Sequence, residues 1–362
     1  MKFLYPFIVF LILAGCMAED QKNNTLEPSV PTDGEATQQN KGQVLVKKLN
    51  VPWQINRVQS GEFYLPERSG SIVHIKDGST ERETLQLNRE IVAETVGGLL
   101  GLLVVENTNP VEAYVYHTYA GNNDLDLLNR VVKVEKEGTV WRETDVIIEN
   151  IPGGQIHNGG RIKISPDNHL YITTGDSGNE SLAQDLNSLA GKILRVNLDG
   201  SIPENNPFED SPIYSYGHRN PQGVTWTAGG QMYSAEHGSS NRDEINKIVP
   251  GGNYGWPIIR GDEEKEGMIS PLFHSGDQTW APSGMDAHGS KLYVACLGGQ
   301  QIRVFDLDSE TDQKWASGFG RMRDIKIIDD TLYAITNNRD GRGNPIEEDD
   351  RLLKFSLSDS ER

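Results

Sequence analysis

Short runs of alternating apolar and polar residues recur along the chain, and six of them are built around a tyrosine. They are Glu62-Phe63-Tyr64-Leu65, Ala113-Tyr114-Val115-Tyr116, His169-Leu170-Tyr171-Ile172, Gln231-Met232-Tyr233-Ser234, Lys291-Leu292-Tyr293-Val294 and Thr331-Leu332-Tyr333-Ala334. A period of two is the period of a strand, because successive side chains leave opposite faces of the backbone. The tyrosines at 64, 114, 171, 233, 293 and 333 lie 40 to 62 residues apart, too far for helical solenoids and suited to four-stranded units. After a loop, each is followed by a second alternating run, at 71–76, 130–134, 192–198, 244–249, 301–307 and 351–357. Helical periodicity of any length is absent, while 38 glycines and 17 prolines punctuate the chain as turns do. The pattern predicts an all-β protein, a six-bladed β-propeller of four-stranded antiparallel blades over residues 43–362. Radial closure removes exposed sheet edges, so the run at 44–49 is expected to pair with the run at 351–357. A pair of β-sandwiches is the competing architecture, but it does not predict the same unit six times.

The beginning of the chain follows different rules. Lys2 precedes an apolar run from Phe3 to Ala14 that ends at Leu13-Ala14-Gly15-Cys16. That run is shorter than the roughly 20 residues a spanning helix needs, and small residues lead into the cysteine. Residues 1–15 therefore read as a lipoprotein signal peptide and Cys16 as the lipidated residue, with an ordinary secretory signal or a short membrane stub as the alternatives. Residues 16–42 are polar and read as a disordered tether. The expected location is outside the cytoplasm, held to the membrane by the N-terminal lipid alone. Of the 2 cysteines, Cys16 is consumed in this way, which leaves Cys296 and no disulfide framework. A net charge of −18 excludes nucleic acid and anionic membrane surfaces as natural partners.

Loops that follow the tyrosine strands are long and rich in Gly, Asp, Asn, His and Arg, and in a propeller they gather at one end, where binding sites are expected. Four segments hold the unusual chemistry: Gln155-Ile156-His157-Asn158-Gly159-Gly160-Arg161, Tyr216-Gly217-His218-Arg219-Asn220-Pro221-Gln222-Gly223, the stretch from Glu236-His237-Gly238-Ser239 to Asn253-Tyr254-Gly255-Trp256-Pro257, and Arg321-Met322-Arg323-Asp324. With Thr174-Gly175-Asp176-Ser177-Gly178, Gly98-Leu99-Leu100-Gly101 and Ala281-Pro282-Ser283-Gly284, they resemble in order the soluble PQQ-dependent aldose sugar dehydrogenases, the glucose/sorbosone dehydrogenase family. The resemblance runs from about Val51 to Phe355.

It implies an oxidoreductase that oxidises the C1 hydroxyl of an aldose sugar to the lactone, with PQQ and Ca²⁺ as cofactors and an external electron acceptor. By this resemblance His157 is the base that takes the hydroxyl proton, a role suited to an imidazole titrating near neutrality. Asp176 supports it, and Arg219 stands by the reacting carbonyl of the cofactor. Taken alone, a loop histidine is more often a structural hydrogen-bonder, and Gly-Asp-Ser-Gly is an ordinary turn. The resemblance also assigns Arg219, Asn220, Thr279, Arg321 and Arg323 to PQQ, a tricarboxylate that guanidinium groups suit. Calcium is assigned to the carbonyls of Gly238 and Ser239, and a second calcium to Glu244 and Tyr254, all hard oxygen ligands.

Two positions depart from the glucose-oxidising members of that family. Val96 replaces a glutamine that touches substrate, and Gly298-Gly299 stands where those members carry a cofactor-contacting lysine. The chain therefore reads as an aldose dehydrogenase with no assured preference for glucose. Two other functions fit the fold: a non-catalytic extracellular binding propeller that has lost PQQ, and a calcium-dependent lactone hydrolase, which requires side-chain ligands converging on a channel metal.

Overall fold

The computed structural model describes residues 40–122 and 126–358; the segment read as a signal peptide, Cys16 and most of the stretch read as a tether lie outside the described residues. The first strand, β1 (Gln43–Val46), is completed only at the far end of the chain. Then come β2 (Asn56–Arg57), β3 (Phe63–Glu67), β4 (Ser71–Lys76) and β5 (Ser79–Gln86), each antiparallel to the last. A second antiparallel run holds β6 (Leu99–Val105), β7 (Glu112–Ala120), β8 (Leu127–Glu137) and β9 (Val140–Pro152). Three further four-stranded sheets follow in chain order. They are β10 (Ile162–Ile164), β11 (Leu170–Thr174), β12 (Lys192–Val196) and β13 (Ile213–Tyr216); β14 (Pro221–Trp226), β15 (Met232–Glu236), β16 (Glu244–Ile248) and β17 (Phe273–His274); and β18 (Pro282–His288), β19 (Lys291–Cys296), β20 (Gln301–Asp306) and β21 (Thr311–Ser317). The last sheet has β22 (Met322–Ile328), β23 (Thr331–Thr336), β24 (Leu352–Ser356) and, at its edge, β1, in register Gln43 with Lys354 and Val44 with Leu353. One short 3-10 turn, Glu180–Ala183, is the helical element among the described residues.

Six separate sheets were expected from the repeat, and the structure differs at one place. β5 and β9 pair in parallel, Thr84 with Val140, Leu85 with Trp141 and Gln86 with Arg142, so the first two runs form one eight-stranded sheet. The seam is fastened by Glu83, which accepts a hydrogen bond from Trp141 Nε1 at 2.6 Å and lies 2.7 Å from Lys136 Nζ.

Each of the six tyrosines of the repeat is buried and sits on the second strand of its run. Their rings fill the space between neighbouring sheets, meeting aromatic partners edge-on: Tyr64 on Trp141, Tyr171 on Trp226 and Tyr293 on Trp315. This explains why β3, β11 and β15 are buried on both faces. Apolar clusters bridge consecutive runs in turn. Tyr64, Ile72 and Trp141 join the first to the second, Tyr116 and Ile162 the second to the third, and Tyr171 and Val224 the third to the fourth. Tyr233 and Val294, then Ala295 and Leu332, carry the series on, and Val46, Phe63, Leu65 and Tyr333 join the last sheet to the first. The packing is therefore propeller-like and closes on itself. A fully buried leucine such as Leu194 or Leu332 contributes about 1.5–3 kcal/mol by leaving water.

Candidate active site

Segments entering the first strand of a run and segments leaving the second converge on a cavity of about 290 Å³. Trp53 comes from before β2, Arg68 from after β3, Val96 from before β6, His157 from before β10 and Arg219 from before β14. His237 follows β15, Leu297 follows β19, Arg321 precedes β22, and Asp340 follows β23.

The local chain holds His157 tightly. Its φ of 55° is in the left-handed region, uncommon for a residue with a side chain. The strain is held in place by neighbours: Ser177 N donates to the His157 carbonyl at 3.2 Å, and Tyr116 Oη donates to the next carbonyl, that of Asn158, at 2.8 Å. Gly175 is required beside it, since a Cβ there would stand 2.0 Å from the His157 oxygen. Asp176 is buried and receives three donors: His157 Nδ1 at 2.7 Å, Gly178 N at 2.8 Å and Trp256 Nε1 at 2.9 Å. An ionised carboxylate only accepts, so Nδ1 carries the proton and Nε2 is left as the basic nitrogen. Asn220 ties the neighbouring loops together, accepting from Gly159 N at 3.1 Å through Oδ1 and from His237 N at 3.3 Å through its carbonyl.

Cations dominate the walls. Among the described residues, Arg68, Arg219, Arg321, Arg323 and Arg342 line the cavity against a single carboxylate, Asp340, in a chain of net charge −18. Asp340 Oδ2 pairs with Arg321 at 2.8 Å and lies 4.0 Å from Arg323. Arg323 Nη1 donates to Gln222 Oε1 at 2.9 Å. Arg219 lies over the Trp256 ring and donates to the Gly238 carbonyl at 2.6 Å. Burial holds the Arg219 and Arg323 guanidinium groups below their ordinary range. It also drives His237 well below the usual imidazole value, helped by the charges of Arg323 and Arg219. Arg219 Nε, Arg323 Nε and His237 Nε2 are buried without a hydrogen-bond partner in the protein. Buried polar atoms normally have partners, so unmet guanidinium donors beside a cavity walled by arginines fit an anionic, acceptor-rich ligand.

The four residues assigned to calcium come together in a smaller void of about 10 Å³ next to Arg219, lined by Gly238, Ser239, Glu244 and Tyr254. Glu244 is pushed up to about 8 by burial and then by the charge of Glu236. Its oxygens accept from Gly261 N at 2.9 Å and Asn246 Nδ2 at 3.3 Å. The Tyr254 hydroxyl is engaged by Lys247 O and Val249 N, which leaves its carbonyl as the oxygen a cation could use. A partly buried carboxyl among carbonyls, with no salt bridge among the described residues, is compatible with a hard divalent ion. A separate group of metal-type side chains, His74, Glu81 and Glu83, lies at the β4–β5 hairpin and already has Lys136 against Glu83.

The structure thus brings His157, Asp176, Arg219, Asn220, Arg321 and Arg323 to one cavity, with Asp176 just behind its wall. Thr279 is not among the residues that line the cavity, although Ala281 two positions on is; its hydroxyl donates to buried Asp243 at 3.2 Å, a carboxylate that also receives Trp280 N, Ala281 N and Gly238 N. Val96 does line the cavity. A Cβ at Gly298 would lie 3.1 Å from Ala281 Cβ and 3.3 Å from Thr279 Oγ1. Trp53, Arg68, His237, Asp340 and Arg342 were given no role by the sequence, and Trp256 was quoted without one. Arg68, His237, Asp340 and Arg342 lie in loops after tyrosine strands, which was the available signal.

Comparison with known proteins points one way. The family described as Glucose / Sorbosone dehydrogenase matches residues 49–352. Quinoprotein glucose dehydrogenase B of Acinetobacter calcoaceticus is 33% identical over 258 residues, 62% of this chain and 54% of that protein. Aldose sugar dehydrogenase YliI of Escherichia coli is 27% identical over 343 residues, 83% of this chain and 90% of that one. Among solved structures, the PQQ-bound aldose sugar dehydrogenase of Streptomyces coelicolor superposes with a TM-score of 0.80 at 33% identity, covering 88% of this chain and 98% of that one.

Proposed function

Because the chain belongs to the glucose/sorbosone dehydrogenase family, we propose that it is a PQQ- and calcium-dependent dehydrogenase that oxidises the C1 hydroxyl of aldose sugars to lactones and passes the electrons to an external acceptor. The observation that carries this reading is the His157–Asp176 pair facing a cavity walled by five arginines.

PQQ, when bound, supplies an ortho-quinone that accepts a hydride. Arg321 and Arg323 would hold its carboxylates, and Arg219 with Asn220 its quinone edge; calcium would sit by the Gly238 and Ser239 carbonyls, with a second site at Glu244 and Tyr254. His157 Nε2 takes the proton of the C1 hydroxyl, and general-base help of this kind contributes about 10²–10⁴-fold. Asp176 keeps the ring in the tautomer that leaves Nε2 free and stabilises the imidazolium that forms. Val96 and Leu100 give the substrate side of the cavity an apolar face, which supports a broad rather than glucose-directed preference.

Two further readings belong with this one. The eight-stranded sheet is two blades joined at their outer strands, which makes the domain six-bladed. The segment ending at Cys16 exports the protein and anchors it by lipid, so the chemistry faces outward. A lactone hydrolase is not supported, because Asp340, the one carboxylate lining the cavity among the described residues, is bonded to Arg321 rather than grouped with other acids.

The test is dye reduction by the purified protein across a panel of aldoses, with PQQ and Ca²⁺ added separately and together. Reduction that needs both additions establishes the activity and ranks the sugars. No PQQ binding and no reduction with any aldose returns the chain to the non-catalytic binding propeller.

A further inference from the structure

Two of the five cavity arginines are unused by the proposed chemistry. Asp340 offsets Arg321, Arg323 is bonded to Gln222, and Arg219 to the Gly238 carbonyl. Arg68 and Arg342, by contrast, make no ion pair with a carboxylate among the described residues, although both line the cavity.

Arg68 is not a loose surface side chain. Its backbone N donates to the Val51 carbonyl at 3.2 Å, and its carbonyl accepts from Leu99 N at 2.9 Å. Its stem crosses Gly98, where φ is 136° and a Cβ would stand 2.4 Å from the Arg68 oxygen and 2.7 Å from its Cγ. The backbone is thus shaped to let this chain pass, and the guanidinium is half-buried. Arg342 stands on the loop after β23, its backbone N fixed by Asp340 Oδ1 at 2.9 Å, and is exposed at the rim. Burial holds the Arg68 guanidinium below its ordinary range; Asp340 offsets this in part, and the charge of Arg342 works against it. Five guanidinium groups share one cavity carboxylate, Asp340, among the described residues, and that carboxylate is bonded to Arg321, so an incoming carboxylate meets an excess of positive charge.

We propose that Arg68 and Arg342 form a carboxylate-binding pair at the open side of the cavity. The carboxylate belongs either to the cofactor, a tricarboxylate for which Arg321 and Arg323 alone are too few, or to the substrate, in which case the enzyme takes acidic sugars of the uronate class. The pair is defined by charges of this chain; naming the carboxylate's owner rests on the function proposed above.

The experiment compares the wild type with Arg68→Gln, Arg342→Gln, the double variant and the charge-keeping Arg68→Lys. PQQ is titrated into the cofactor-free protein with Ca²⁺ present, followed by tryptophan fluorescence, which Trp53 and Trp256 make sensitive to the cavity. The ratio of KM for glucuronate to KM for glucose is then measured on the loaded enzyme. Loss of a charge-assisted contact weakens binding about ten- to a hundredfold. A PQQ Kd raised by that factor in the double variant, partly restored by Arg68→Lys, assigns the pair to the cofactor. An unchanged PQQ Kd with a glucuronate-to-glucose KM ratio raised about tenfold or more assigns it to an acidic sugar. Both quantities within about twofold of wild type overturn the proposal. If the wild type binds no PQQ, the proposed function fails on its own, and citrate binding to the cofactor-free protein decides the pair: binding lost in the double variant supports it, and no binding or equal binding overturns it.

Discussion

Replacing Asp176 by asparagine isolates what the carboxylate does for His157. The side chain keeps its shape, but two accepting oxygens become one acceptor and one donor, while three N–H groups still point at them: His157 Nδ1, Gly178 N and Trp256 Nε1. Oδ1 serves two of these donors and Oδ2 serves one, so the carboxamide oxygen settles toward His157 and its NH₂ faces the Trp256 indole. The imidazolium formed in the reaction then loses its negative partner at 2.7 Å. A hydrogen bond to a charged group is worth about 1.5–3 kcal/mol, which corresponds to a kcat lower by about ten- to a hundredfold. His157→Ala removes the base altogether and lowers kcat by about 10²–10⁴-fold. Because Asp176 acts through His157, the double variant is expected to match His157→Ala alone. The assay is aldose-dependent dye reduction at saturating PQQ and Ca²⁺, with PQQ affinity measured separately and expected to stay within a few-fold. Full turnover in Asp176→Asn, or an additional loss when it is combined with His157→Ala, refutes the pairing of roles.

Three other outcomes follow from the geometry. His117 accepts from Arg130 Nε at 2.9 Å, and burial followed by the charge of Arg130 pushes its imidazole down to about 3. The unfolded state therefore binds the extra proton between about pH 6.5 and 3, so this stabilisation is complete above pH 6.5 and is lost as the pH falls, by up to about 1.4 kcal/mol per unit; denaturant midpoints at pH 7 and 4.5 should differ less in His117→Gln. Calcium should raise the melting temperature of the wild type, by the equivalent of about 2.7 kcal/mol at a hundredfold excess over Kd, and Glu244→Gln should reduce that gain. Gly175→Ala forces a methyl to within 2.0 Å of the His157 carbonyl and should lower kcat more than it lowers PQQ affinity, a split that separate kinetics and titration would show.

The second and third strands of every run were legible in the sequence, because their tyrosines and branched residues pack between sheets and must be apolar in the strand period. The closing pair was legible for the same reason: Val44 and Leu353 face one another across β1 and β24. The fourth strands were not. β5 reads Ser-Thr-Glu-Arg-Glu-Thr-Leu-Gln and is mostly exposed, while β17 is only Phe273–His274, so neither carries a hydrophobic period. Nor does anything in Thr84 to Gln86 announce a parallel partner at Val140 to Arg142. At the site, His157, Arg219 and Arg321 stood out because each sits in a dense polar motif. Arg68 follows Glu67 in what reads as a hairpin turn, and Asp340 sits in an ordinary Asp-Gly loop; only the meeting of loops distant in sequence gives them a common address.

The pairing of β1 with β24 sets the order in which the molecule can be assembled. β1 is the first strand of the described chain to be synthesised and β24 the last, so the ring stays open until translation is essentially complete, and a strand edge is presented to the surroundings for all of that time. The same seam is the first place a pull on the N-terminal side would be felt. A tether attached just ahead of β1 would load this strand directly, and the number of hydrogen bonds it shares with β24, rather than the strength of the core, would set the force at which the ring springs open.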